Sequence, residues 1–241
     1  MARSRKTNVE LVRDLVSANR ILFKEGVLDG FGHVSARHDR NPGRFLLASG
    51  IAPGTVTAAD IMEYDLDCNP VAARGRRMYL ERYIHGEIYR ARPDVQAVVH
   101  SHSPSVIPFG ITATPLRPVY HMSGFLGGSP PPVFEIRDVG GLSTDLLIRD
   151  RHLGAALARS LGPAAYALMR GHGSVAVGDS VRQVVYRAIY AEMNARLQSE
   201  ALRLGAVTFL TEGEAASAAR TIDGVLERPW ELWRQGVAKR R

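Results

Sequence analysis

The sequence predicts a single α/β domain, on three observations. Segments with apolar residues at helical spacing alternate with short, continuous apolar runs. No low-complexity linker, internal repeat or shift of composition divides the chain. The balance of 45% hydrophobic to 23% charged residues over 241 positions is that of a chain able to bury a substantial core, and it excludes a disordered tail or a fibrous repeat.

The elements follow in order. Residues 9–27 carry Leu11, Val12, Leu15, Val16, Ala18, Ile21 and Leu22 at helical spacing, with Asn8 as the candidate N-cap and Gly26 near the end. Gly30-Phe31-Gly32 opens into a short strand through Arg37, and a second strand at 44–49 follows the Asn-Pro-Gly turn at 41–43. Residues 49–62 read as a loop and then a short helical turn. The stretch 80–91 is a helix stopped by Pro93, and 95–99 is a buried strand running into His100-Ser101-His102. Residues 104–132, rich in Gly and Pro, are irregular. A strand is expected over 132–136, a helix over 146–161, strands over 166–169 and 174–177 around a glycine-bounded loop, and a long amphipathic helix over 180–204. The main domain then ends near residue 210, and 211–241 is a helical tail. Its Trp230 and Trp233 share one helical face, to pack on their own subunit or to dock on a neighbour.

Charge and cysteine narrow the function classes. The net charge is +7, and the only lysines are Lys6, Lys24 and Lys239, so the positive charge is almost all arginine, whose planar fork suits carboxylate and phosphate. The arginines are dispersed apart from the clusters at 74–77 and 239–241, and no nucleic-acid recognition motif accompanies them. No apolar run approaches the roughly 20 residues of a membrane span. The basic N-terminus lacks the apolar core of a signal peptide, so the expected location is the cytoplasm, with neither nucleic-acid nor membrane partners. The single cysteine, Cys68, excludes an internal disulfide and a Cys-based zinc cluster, leaving His, Asp and Glu as metal ligands.

His100 and His102 lie two apart at the end of a buried strand, so both imidazoles project to one face as half of a metal site. His172, between Gly171 and Gly173, sits in a tight turn able to approach another element. Three histidines and an open position form a catalytic divalent-metal site. Glu81 begins the helix that leads into the His100 strand, where the helix N-terminus favours its ionised form. His85, one turn on, is expected as a packed core residue beside the site; His38 and His152, in polar surroundings, are expected at the surface.

Glu81, His85, Ile88 and Tyr89, then Arg92-Pro93-Asp94, then the run from Ala97 to His102, together resemble the signature of the class II aldolase/adducin family. Gly32 to Arg37 resembles that family's early loop, and Arg170 to Gly173 its third-ligand motif; the order and separations agree over about residues 9–205. The resemblance implies a three-layer α/β/α domain with a mostly antiparallel sheet. It also implies a homo-oligomer, a C4 tetramer or a dimer of tetramers, with sites between adjacent subunits. By the same match His100, His102 and His172 hold one divalent metal per subunit (Mn, Zn, Fe or Co). Glu81 is the acid/base and in some resting states also a ligand.

Two departures separate this chain from the family's sugar-phosphate aldolases. Their Ser-Ser pair before the catalytic Glu is Tyr79-Leu80 here, too few donors for a phosphate, although Ser49 and Gly50 keep a remnant that a carboxylate could use. Where those aldolases carry a catalytic tyrosine the chain has His121, beside Tyr120, a residue able to accept as well as donate a proton near neutral pH. Together with the segment from His121 to Asp138, this resembles the branch that decarboxylates hydroxylated aromatic and pyridine dicarboxylates. The expected function is a metal-dependent carbon–carbon lyase, first a decarboxylase of an ortho-hydroxylated aromatic or heteroaromatic carboxylate. Expected roles are Glu81 and His121 for proton transfer, and His33, Ser35, Ser49, Gly50, Arg77, Tyr79 and Tyr120 for substrate binding. An aldolase for a non-phosphorylated hydroxy-keto acid, an iron oxygenase performing oxidative decarboxylation, and a non-catalytic adducin-like module are the alternatives.

Overall fold

A computed structural model describes residues 9–238; the Asn8 cap, Lys6 and the basic cluster at 239–241 lie outside them. Seven strands, β1 (His33–Arg37), β2 (Arg44–Ala48), β3 (Ile61–Asp65), β4 (Ala97–Ser101), β5 (Val133–Phe134), β6 (Tyr166–Met169) and β7 (Gly173–Gly178), form one sheet in the order 3-2-1-4-7-6-5. Every pairing is antiparallel except that of β5 with β6.

Helices cover both faces, which is why β4 reads as a continuous apolar run rather than an alternating one. Its Ala97 and Val99 enter one core with α1 (Val9–Lys24) and α5 (Val181–Leu204), whereas Val98 enters the other with α2 (Arg82–Ala91) and α4 (Arg151–Leu161). His100 shares the parity of Val98 and therefore faces the α2 layer, where Glu81 is the N-cap of α2. The fold thus delivers the end of a central strand and the start of a helix to one spot. At the C-terminus, α6 (Glu212–Asp223) is opened by a Thr211–Glu214 capping box and followed by α7 (Glu227–Val237). Trp230 is fully buried in the α1/α5 core and Trp233 packs against it, so the tail docks on its own chain.

Several elements differ from the sequence reading. The helix expected over 146–161 begins only at Arg151, because Asp150 turns its side chain onto the Leu153 N–H at 2.9 Å and caps there. The strand expected over 132–136 is confined to Val133–Phe134, and a short helix, α3 (Arg137–Gly140), follows it. The helical turn before residue 62 is the 3-10 turn Ala58–Asp60, and the edge strand β3 starts directly after it. His38 is buried rather than superficial: its Nδ1 accepts the N–H of Arg40 at 3.0 Å, folding the ring onto its own turn. His152 is exposed, as expected. Among the described residues no helix is long and apolar enough to cross a membrane.

Candidate metal centre and active site

Three histidines converge on Nε2. The His100 and His102 nitrogens are 3.2 Å apart, and those of His102 and His172 are 3.0 Å apart. His172 arrives through a turn closed by its own N–H on the Met169 carbonyl (3.1 Å), with a positive φ at the third residue, Gly171 (+66°). Gly173 then passes β4 so closely that a Cβ on it would lie 2.1 Å from the Ser101 carbonyl oxygen. That approach brings the turn histidine beside the strand pair.

The donor set fits a divalent cation. His100 donates its Nδ1–H to the Ser174 carbonyl (3.1 Å), which fixes the tautomer with the Nε2 lone pair directed at the other two rings. Burial, with the neighbouring His100 and His172, lowers the His102 pKa to about 4, so this ring is neutral at pH 7 and offers one nitrogen lone pair as a ligand. Lone pairs converging at 3.0–3.2 Å match the roughly 3.3 Å spacing of tetrahedral ligands held about 2.05 Å from a zinc-like ion. Glu81 completes the group, its Oε2 3.5 Å from both His100 Nε2 and His172 Nε2, and the four ligand atoms all lie within 4.8 Å of one another. Its Oε1 accepts the backbone N–H of Ile148 at 2.9 Å. Burial alone would raise the Glu81 pKa. When His100 and His172 carry a proton on the nitrogens facing Oε2, their hydrogen bonds and charge outweigh it and hold the carboxyl well below the usual range.

Beside this cluster opens a cavity of about 360 Å³, the size of a small-ligand site. Phe31, Ile51, Ala52, Met78, Leu80 and Leu147 supply apolar surface, and His33, Tyr79, Glu81 and His102 supply the polar side chains. His33 pairs with His100 in the β1–β4 register, and its Nδ1 meets His85 Nε2 at 2.6 Å, leaving its own Nε2 for the cavity. Burial and the neighbouring His85 hold the His33 pKa well below its ordinary value. Behind it, His85 Nδ1 meets Ser35 Oγ at 2.6 Å, and Ser35 meets the Tyr89 hydroxyl at 2.8 Å. Burial pushes the His85 pKa down to about 3, which keeps this buried chain neutral.

The other residues expected at the site divide. Ser35 is wholly buried behind His33 and holds His85, so it positions the site rather than touching a ligand. Gly50 and Tyr79 line the cavity, but with their donors occupied: the Gly50 N–H on the Arg77 carbonyl (2.9 Å), and the Tyr79 hydroxyl on the Ile51 carbonyl. Ser49 is buried beneath them, its N–H on Asp60 O at 2.8 Å. Arg77 is exposed and is absent from the cavity wall. Neither Tyr120 nor His121 reaches the cluster of its own chain. Tyr120 packs on Tyr190 and has a buried hydroxyl without a partner among the described residues, while His121 is exposed at the start of a 3-10 turn. The sequence reading missed the Ile148 amide and Leu147, which no side-chain pattern signals.

A mixed α/β sheet brings three imidazoles and a carboxylate together beside an apolar cavity, a donor set that could hold a divalent metal ion. The match to the class II aldolase and adducin N-terminal domain runs over residues 13–199, and the chain belongs to that family. It is 39% identical to the decarboxylase tropJ of Talaromyces stipitatus over 248 residues, covering 92% of each chain. It is 32% identical to the 3,4-dihydroxyphthalate decarboxylase of Arthrobacter keyseri over 201 residues, covering 78% of this chain and 77% of that one. Among solved structures, the L-fuculose 1-phosphate aldolase of Glaciozyma antarctica superposes with a TM-score of 0.77 at 24% identity, covering 95% of this chain and 88% of the other, and shares the fold.

Proposed function

We propose that the protein is a divalent-metal-dependent carboxy-lyase that removes carbon dioxide from an ortho-hydroxylated aromatic or heteroaromatic carboxylate. The observation that carries this reading is the open, largely apolar cavity with Glu81 and His102 in its wall, beside the converging Nε2 atoms. Relatives named as decarboxylases, alike over most of both chains, support it. His100, His102 and His172 would hold the ion, whether Mn, Zn, Fe or Co. When bound, it supplies Lewis acidity to the hydroxyl and carboxylate oxygens of the substrate.

The chain's own residues do the rest. The ionised Glu81, steadied by the Ile148 amide, takes the proton of the substrate hydroxyl. As the carbon–carboxylate bond breaks and its electron pair stays on the ring, Glu81 returns that proton to the ring carbon. Glu81, in the cavity wall beside the apolar surface, is the group placed to deliver that proton. His121 serves the site of a neighbouring copy in a cytoplasmic homo-oligomer, a C4 tetramer or a dimer of tetramers. Its exposure, and the exposed apolar rim formed by Phe31 and Leu80, support this.

Metal content per chain and carbon dioxide release under strict anaerobiosis test the reading. Wild type should hold about one equivalent of metal, and His100→Ala or His172→Ala should lose it while keeping the fold. Glu81→Gln should keep the metal and lose about 10²- to 10⁴-fold in turnover. Metal-free wild-type protein, or full activity in Glu81→Gln, would overturn the assignment. A requirement for oxygen would replace it with the oxygenase alternative.

A further inference from the structure

The cavity has an unusual shortage: no lysine or arginine stands among the described residues that line it. The arginines nearest in sequence, Arg76 and Arg77, are not part of the wall. The Arg76 guanidinium is bonded to the carbonyls of Ala59, Ile61, Ala72 and Ala73, and Arg77 is exposed. In the loop that could have bound an anion, three donors are turned inward. The Gly50 N–H is on the Arg77 carbonyl at 2.9 Å, the Ile51 N–H on the Ser49 carbonyl at 2.6 Å, and the Tyr79 hydroxyl on the Ile51 carbonyl. What this wall presents instead is Ile51, Ala52, Met78 and Leu80.

From this apolar wall without a cationic side chain we infer the substrate class: ortho-hydroxylated aryl monocarboxylates whose remaining ring edge is apolar or alkyl-substituted, with ring dicarboxylates rejected. The inference rests on the carboxy-lyase reading for the first carboxylate, which belongs at the metal centre. A second carboxylate against the 51–52 and 78–80 wall would give up its hydration with no counter-charge in this chain's lining and none of these three donors to replace it. A methyl group at the same place would gain by leaving water.

Calorimetric binding to the manganese-loaded wild-type protein under anaerobic conditions reads this without relying on turnover. The probes are salicylate, 4-methylsalicylate, 3-hydroxyphthalate and 2-hydroxyterephthalate. Salicylate should bind about ten- to hundredfold more tightly than either diacid, and 4-methylsalicylate at least as tightly as salicylate. Met78→Arg, at a partly exposed position that tolerates the longer side chain, should narrow the gap. Diacids binding as tightly as monoacids, or a folded Met78→Arg protein with the gap unchanged, would overturn the assignment to this wall. So would a metal-loaded protein that binds none of the four. Monoacids bound as expected without carbon dioxide release would uphold the inference while the carboxy-lyase reading falls.

Discussion

His85 shows what a residue type alone does not say. An imidazole one turn after Glu81 invites a role as ligand, yet the ring is fully buried and bonded on both nitrogens, to His33 and Ser35. Its work is to hold His33. Neutral to about pH 3 in the fold and titrating near 6.5 when unfolded, it contributes stability that is complete above about 6.5 and declines as pH falls toward about 3. Denaturant unfolding of metal-free protein at pH 7, 6 and 5 should show this decline, and His85→Gln should flatten it by up to about 1.4 kcal/mol per pH unit. An unchanged slope in the variant would mean that His85 is already protonated in the fold. Ser35 teaches the same lesson: its strand position was legible, but its burial behind His33 was not, because parity gives a face and not a depth.

At the scale of elements, the helices and the central strands were readable because both faces of the sheet are covered and the apolar runs are correspondingly plain. The cluster of Glu81, His100, His102 and His172 was readable because its spacings are local: two residues on a strand, one in a glycine turn, one at a helix start. The elements that escaped are those whose limits are set by tertiary partners. The β3 edge strand depends on pairing with β2, and the start of α4 depends on the Asp150 cap. The contact of β4 with β7 is the element-scale test. Gly173→Ala must separate Ser101 from the turn, at a cost of about 1–3 kcal/mol. The variant should melt earlier and retain less metal than wild type at equal loading. Full metal occupancy with an unchanged melting temperature would show that the close approach is not needed.

For the whole molecule, the arginine excess has a different meaning from the one its composition suggested. Rather than lining the cavity, several arginines clamp backbone carbonyls between elements. Arg37 alone donates to Pro42, Tyr89, Arg92 and Val95, and Arg92 reaches Gly162 and Ala164. The composition could not distinguish a staple from a substrate ligand, since the same fork serves both. Assembly is tested by mixing. Glu81→Gln and His121→Ala proteins, each inactive alone, should regain activity when refolded together, because hybrids would contain sites with one intact copy of each residue. Continued inactivity of the mixture would place His121 outside the neighbour's site.

The Ile148 amide has a genetic consequence. The group that steadies Glu81 is main chain, supplied by every amino acid except proline, so it is not written in the codon for residue 148. Alanine scanning would register the buried side chain there and pass over the amide. Drift at that position could exchange one hydrophobic residue for another and leave the partner of Glu81 intact.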